Sequence, residues 1–112
     1  MKTKTPIFAI LLAVALTNSH AQDTWTQKAD FGGIERYGAV GFSIGNKGYI
    51  GIGYHIGVEK DFWEYDPVAN AWTQKADFGG TAREQGVGFS IAGKGYIGTG
   101  SATDGLSRDF WE

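Results

Sequence analysis

The nonapeptide Trp25-Thr26-Gln27-Lys28-Ala29-Asp30-Phe31-Gly32-Gly33 returns letter for letter at Trp72-Thr73-Gln74-Lys75-Ala76-Asp77-Phe78-Gly79-Gly80. Recurrence at a spacing of roughly 40 to 50 residues marks stacked supersecondary units, each too small to bury its own apolar face alone. The likeness continues downstream, with Arg36 recurring as Arg83, Phe42 as Phe89 and Tyr49 as Tyr96. Asp61-Phe62-Trp63-Glu64 then recurs as Asp109-Phe110-Trp111-Glu112, one position later, so the extra residue falls in the loop between. The repeats are 25–71 and 72–112.

Within a repeat the pattern is that of strands. Thr24 to Ala29 alternates and predicts a half-buried strand. Asp30 to Arg36 is a loop broken by Gly32-Gly33, and Ala39 to Ile44 is a short apolar run suited to a buried strand. Gly45-Asn46-Lys47-Gly48 supplies hairpin residues before a second strand at Tyr49 to Gly53. A loop over 54–60 and a strand at Asp61 to Asp66 follow, and then Asp66-Pro67-Val68-Ala69-Asn70 turns the chain back to Trp72. The unit is a four-stranded antiparallel meander. The chain as a whole is predicted to open on an outermost strand, run through one complete unit and end after three strands of the next.

Several residues carry a resemblance to the kelch repeat: an arginine before the innermost strand, Gly48-Tyr49 entering the second, glycines closing it, then Tyr65-Asp66-Pro67, Asn70 and Trp72. The likeness spans residues 24–112, with one departure. Where the family has an adjacent glycine pair, this chain has Gly51-Ile52-Gly53 and Gly98-Thr99-Gly100. The resemblance implies an all-β, kelch-type β-propeller with about two four-stranded antiparallel blades present. Propellers close with at least about four blades, so the chain is expected to be part of a larger propeller, with further blades in the same chain or self-assembly completing the ring.

The first 21 residues are of another kind. Lys2 and Lys4 form a basic start, Ile7 to Leu16 is unbroken apolar sequence, and Thr17 to Ala21 turns polar and small. This is the layout of a secretory signal peptide with cleavage between Ala21 and Gln22, leaving 22–112 as the mature chain. The apolar run falls well short of the ~20 residues that span a bilayer, so no membrane association is expected after cleavage. Removal takes Lys2 and Lys4 from 10 basic residues and leaves 12 acids, a formal charge of −4. No basic patch points to nucleic acid. The absence of cysteine excludes disulfides and thiolate-metal chemistry.

Catalytic patterns are present in letters only. Gly41-Phe42-Ser43-Ile44-Gly45 fits G-x-S-x-G, yet its flanks read as strand and hairpin, and the second copy has Ala92 at the last glycine. A nucleophile elbow needs a strand-to-helix turn. Gly51, Gly53 and Gly57 have the wrong spacing for a dinucleotide loop and precede a strand. They mark close backbone approach. His55 is the one histidine of the mature chain, too few for a metal site without distant carboxylates. Kelch-type copper oxidases use a cysteine-modified tyrosine, which this chain cannot build. Asp61 with Glu64 and Asp109 with Glu112 recur identically, which favours scaffold over acid/base pairs. The same equivalence assigns Trp25, Trp63, Trp72 and Trp111 to packing rather than sugar stacking. No catalytic residue, cofactor or metal is expected.

In a meander, connections alternate between faces, so the loops at 30–37, 54–60, 77–85 and 101–108 share one. It includes the stretches that differ most between copies, Tyr54 to Lys60 against Ser101 to Arg108. Variation on a constant scaffold is how binding loops look. The candidate ligand-binding residues are Arg36, His55, Glu59, Arg83, Asp104 and Arg108, and the expected function is a secreted binding scaffold for a protein or glycan. For Arg36 and Arg83, bonding to neighbouring backbone carbonyls is the stronger reading over contact with an acidic ligand. An enzyme on the same fold, such as a carbohydrate-active or oxidase-like propeller, and a two-blade protomer of an oligomeric lectin-like propeller are the alternatives.

Overall fold

Short runs of β-branched and aromatic residues between glycine-rich turns can satisfy their backbone only by pairing with one another. In this computed structural model, which describes residues 2–4 and 23–112, they do so as antiparallel sheets with no helix among the described residues. Most of the predicted signal peptide lies outside the described residues.

The first sheet is a four-stranded meander of β1 (Val40–Ile44), β2 (Lys47–Tyr54), β3 (Val58–Asp66) and β4 (Ala71–Lys75), in that order. Gly45, at φ 56°, opens the two-residue turn that sets Ile44 opposite Lys47. Asn70, at φ 49°, closes the turn that sets Asp66 opposite Ala71, and Asp66 Oδ1 accepts from the Val68 amide at 2.9 Å. The second repeat gives a three-stranded sheet of β5 (Val87–Ile91), β6 (Lys94–Gly98) and β9 (Phe110–Trp111). Between its last two strands sits a small hairpin of β7 (Ser101–Ala102) and β8 (Gly105–Leu106).

Three sequence expectations are corrected. Thr24 to Ala29 is not a strand, and Trp25 is fully exposed rather than packed in a blade. Alternation creates a strand only where a ladder partner exists, and the equivalent β4 has one, with Trp72 opposite Tyr65. The segment is instead tied to the β3–β4 turn, with the Ala29 amide donating to Asn70 Oδ1 at 2.9 Å and Trp72 Nε1 to the Ala29 carbonyl at 3.2 Å. The loop at 54–60 shrinks to a tight turn, because pairing resumes beyond a bulge in β3, where Lys60 and Asp61 face Ile52, with Gly53 opposite Glu59 and Tyr54 opposite Val58. The loop at 101–108 contains the β7–β8 hairpin.

The sheets stack with β1 toward β5. Side chains from the first sheet meet bare backbone in the second: a Cβ on Gly88 would stand 3.0 Å from Val40 Cβ, and one on Gly95 would stand 2.5 Å from Phe42 Cε2. Aromatic side chains thus fill the volume that the glycines vacate. The core is Val40, Ile52, Phe78 and Ile97, flanked by Phe42 and Phe62.

Candidate functional site

The recurring letters build a clasp, twice. Arg36 donates from Nη1 and Nη2 to the two oxygens of Asp61, at 2.5 and 2.8 Å, and Arg83 does the same to Asp109, at 2.6 and 3.0 Å. Each guanidinium lies 4.9 Å over a phenyl ring, Phe31 or Phe78. Each aspartate also accepts from a tryptophan Nε1, Trp63 or Trp111, at 2.7 Å. The second glycine of the nonapeptide is required by this approach, since a Cβ on Gly33 or Gly80 would stand 2.9 Å from the arginine Nη2.

Arg36 and Arg83 therefore do not stand free on a rim. Their side chains are 3% and 1% exposed. Besides the aspartates they donate to backbone carbonyls, Arg36 to Ile34 and Ile52, and Arg83 to Thr81 and Thr99. Burial of a charge is tolerable only with such complete pairing. The aspartates respond: the hydrogen bond from Arg83, then that from Trp111, lowers the Asp109 carboxyl from 3.8 to about 2. Arg36 chiefly, with help from Trp63, lowers that of Asp61.

The other sequence candidates are scattered. His55 sits half-buried in the β2–β3 turn, its amide donating to the Gly57 carbonyl at 3.0 Å. Glu59 accepts through its carbonyl from the Arg83 amide at 3.1 Å, joining the repeats by backbone. Asp104 and Arg108 are exposed in and after the β7–β8 hairpin. Among the described residues no three His, Cys, Asp or Glu side chains gather as a metal-ligand group.

What the structure does bring together is a row that sequence reading passed over. Immediately after each clasp arginine the copies diverge, Tyr37-Gly38 against Glu84-Gln85, while Tyr54 stands against Ser101. Equivalent two-bond bridges hold both: Tyr37 to Tyr54 at 3.0 and 2.8 Å, and Glu84 to Ser101 at 2.9 and 2.8 Å. The Gln85 amide donates to the Gly38 carbonyl at 2.7 Å, which places the two bridges side by side. The tyrosine rings pair at 5.3 Å with a tilt of 36°.

Glu84 completes the row. Its Oε2 is turned against Gly38, where a Cβ would come within 3.2 Å, and it is buried without a hydrogen-bond partner. An unmet buried acceptor costs about 1–3 kcal/mol until a donor reaches it. Although Tyr37 is exposed overall, desolvation, then the Glu84 charge, then Tyr54, raise its hydroxyl above the ordinary 10.0. Tyr37 thus remains a neutral donor and acceptor at any physiological pH. Next to Glu84, a recess of about 290 Å³ is lined by Gln85, Thr99, Gly100, Ser101, Leu106 and Ser107. Gln85 and Thr99, which line it, have left-handed backbone, φ 56° and 59°. Such conformations are costly for residues with a Cβ. The signal available beforehand was the divergence itself at 37–38 and 84–85, beside an arginine that does not change.

No family model matches this chain, and no curated protein matches it. Among solved structures, YjhT is similar, at 25% sequence identity and a TM-score of 0.68 over 72% of this chain. The chain spans about a quarter of the length of YjhT, with 25% covered. An all-β chain of antiparallel, blade-like sheets is the fold this likeness supports.

Proposed function

We propose that the chain is part of a kelch-type β-propeller, exported by residues 1–21, and that it acts as a binding scaffold whose ligand is a glycan held along Tyr37, Tyr54, Glu84 and Gln85. The observation that carries this reading is the tilted Tyr37–Tyr54 ring pair, with Tyr37 59% exposed, beside the Glu84 carboxylate. Sugar rings present apolar C–H faces, which suit tyrosine rings, and hydroxyl donors, which suit a carboxylate and an amide. The neighbouring recess gives a second ring a place to enter. His55, Glu59, Asp104 and Arg108 lie outside this row and are assigned peripheral contacts at most, while Arg36 and Arg83 support the rim from beneath.

The constant and varying positions agree with that division. Clasp residues repeat because each blade needs them, and rim residues differ because one asymmetric ligand lies across both repeats. Glycan-array binding that is lost in Glu84→Ala and Tyr37→Ala, without turnover of the bound sugar, is the expected result. Chemical conversion of the sugar would place the chain with propeller enzymes instead, and binding of a protein with no glycan signal would replace the ligand class.

A further inference from the structure

Val87, Phe89, Ile91 and Phe110 stand 49%, 40%, 60% and 53% exposed on one face of the β5–β6–β9 sheet. Their equivalents in the first repeat, Val40, Phe42, Ile44 and Phe62, occupy the face that the second sheet covers, and Val40 is only 6% exposed there. The chain itself therefore displays what seats on such a ridge. Gly88 and Gly95 supply the gaps that Val40 and Phe42 enter, and Ile97, at 6%, fills the space beside them.

The equivalents of that seat are Gly41, Gly48 and Ile50, on the opposite face of the first sheet. Among the described residues, nothing from another sheet is a near neighbour of a Cβ placed on either glycine. A Cβ on Gly41 would meet the Tyr49 carbonyl oxygen at 3.5 Å and Ile50 Cγ1 at 3.9 Å, and one on Gly48 only Tyr65 Cβ at 3.9 Å. The described residues thus carry an open ridge on one side and an open seat on the other, of the same pattern that already fits inside the chain. Ridge against ridge would set Phe89 and Phe110 opposite their own copies with no glycine gap to receive them.

We propose that a second copy of this chain seats its Gly41, Gly48 and Ile50 face on the Val87, Phe89, Ile91 and Phe110 face of the first. Contacts of this kind are heterologous and propagate head to tail until the rotation closes. Closure at two, three or four copies gives about four to eight sheets, the range in which four-stranded blades form rings. This surface is separate from the ligand rim, so it stands or falls apart from the glycan reading.

The test is the mass of the purified chain by light scattering coupled to size exclusion, over a range of micromolar concentrations. A discrete species at two, three or four times the single-chain mass is expected. Gly41→Ile, whose Cβ meets its own sheet only at ordinary contact distances of 3.5 and 3.9 Å while its side chain blocks the seat, and Val87→Glu, which charges the ridge, should each drop to the single-chain mass with an unchanged far-ultraviolet circular dichroism spectrum. Ile91→Glu serves if Val87→Glu fails to fold. Mixing the seat and ridge variants should restore a species of twice the single-chain mass, because one intact junction remains between them. A wild-type chain at single-chain mass throughout, an assembly that survives both substitutions, or a mixture that stays at single-chain mass would overturn the proposal.

Discussion

Arg83 and Asp109 face each other through two parallel hydrogen bonds of 2.6 and 3.0 Å, with the arginine 1% exposed and the aspartate side chain 44% exposed. Together with Arg36 and Asp61, this pair explains why the strand-to-strand connection keeps its letters in both repeats. The paired carboxyl is held at about 2, below the ordinary 3.8. A folded-state value below the unfolded one contributes stability that is complete above 3.8 and lost as pH falls through about 2. Asp61 acts in the same direction. The urea midpoint should hold steady through neutral pH and fall steeply across that acid window. Asp109→Asn should lower the neutral midpoint and flatten the acid fall, and an unchanged acid slope would contradict the assignment. Arg108→Met, at the surface, should move stability by less than about 0.5 kcal/mol.

Ile52 and Thr99 occupy equivalent positions, both in left-handed backbone, at φ 51° and 59°. Left-handed conformation costs a β-branched residue about 1–2 kcal/mol. Thr99 is exposed, so Thr99→Gly should stabilise by about 1 kcal/mol. Ile52 is fully buried, so Ile52→Gly also loses a core side chain and should destabilise by about 2 kcal/mol or more. Chemical denaturation of the two variants checks the opposite signs.

Glycines at strand pairings differ sharply from glycines at tips. A Cβ on Gly51 would lie 2.5 Å from Phe62 Cδ2 and 3.3 Å from the Asp61 carbonyl oxygen, whereas one on Gly57 would meet nothing within 4 Å. Gly51→Ala should cost about 1–3 kcal/mol through overpacking. Gly57→Ala should be neutral or stabilise by about 0.4–1 kcal/mol by restricting the unfolded chain. Thermal unfolding of the pair reads the difference directly.

Much of the sheet order was legible in the sequence, because the turn residues Gly45 and Asn70 and the alternation around Phe62 and Trp63 dictate a meander locally. The clasp was half legible. Arginine–carbonyl bonding follows from Arg36 and Arg83 recurring, but the aspartates that complete it lie a whole hairpin away, and no local pattern couples them. Thr24 to Ala29 misled because alternation states which side chains share a face, not whether a neighbour exists to pair with. The rim was overlooked for a related reason: the repeats align Tyr37 with Glu84, but only the bridges to Tyr54 and Ser101, joined by the Gln85–Gly38 hydrogen bond, bring the two positions side by side.

The proposed export by residues 1–21 has a direct readout. Terminal sequencing of protein recovered outside the cytoplasm should begin at Gln22. A recovered chain that begins at Met1 would contradict cleavage there.

The proposed glycan site is a variable rim supported by a constant clasp. Its most direct test is titration of a glycan identified on an array against wild-type chain, Glu84→Ala and Trp25→Ala, each shown to be folded by circular dichroism. Trp25 is fully exposed yet outside the rim, so Trp25→Ala should bind as wild type does. Glu84→Ala should bind at least tenfold more weakly, about 1.4 kcal/mol, in the range for a hydrogen bond to a charged group. Equal affinity of wild type and Glu84→Ala, or loss of binding only in Trp25→Ala, would contradict the claim.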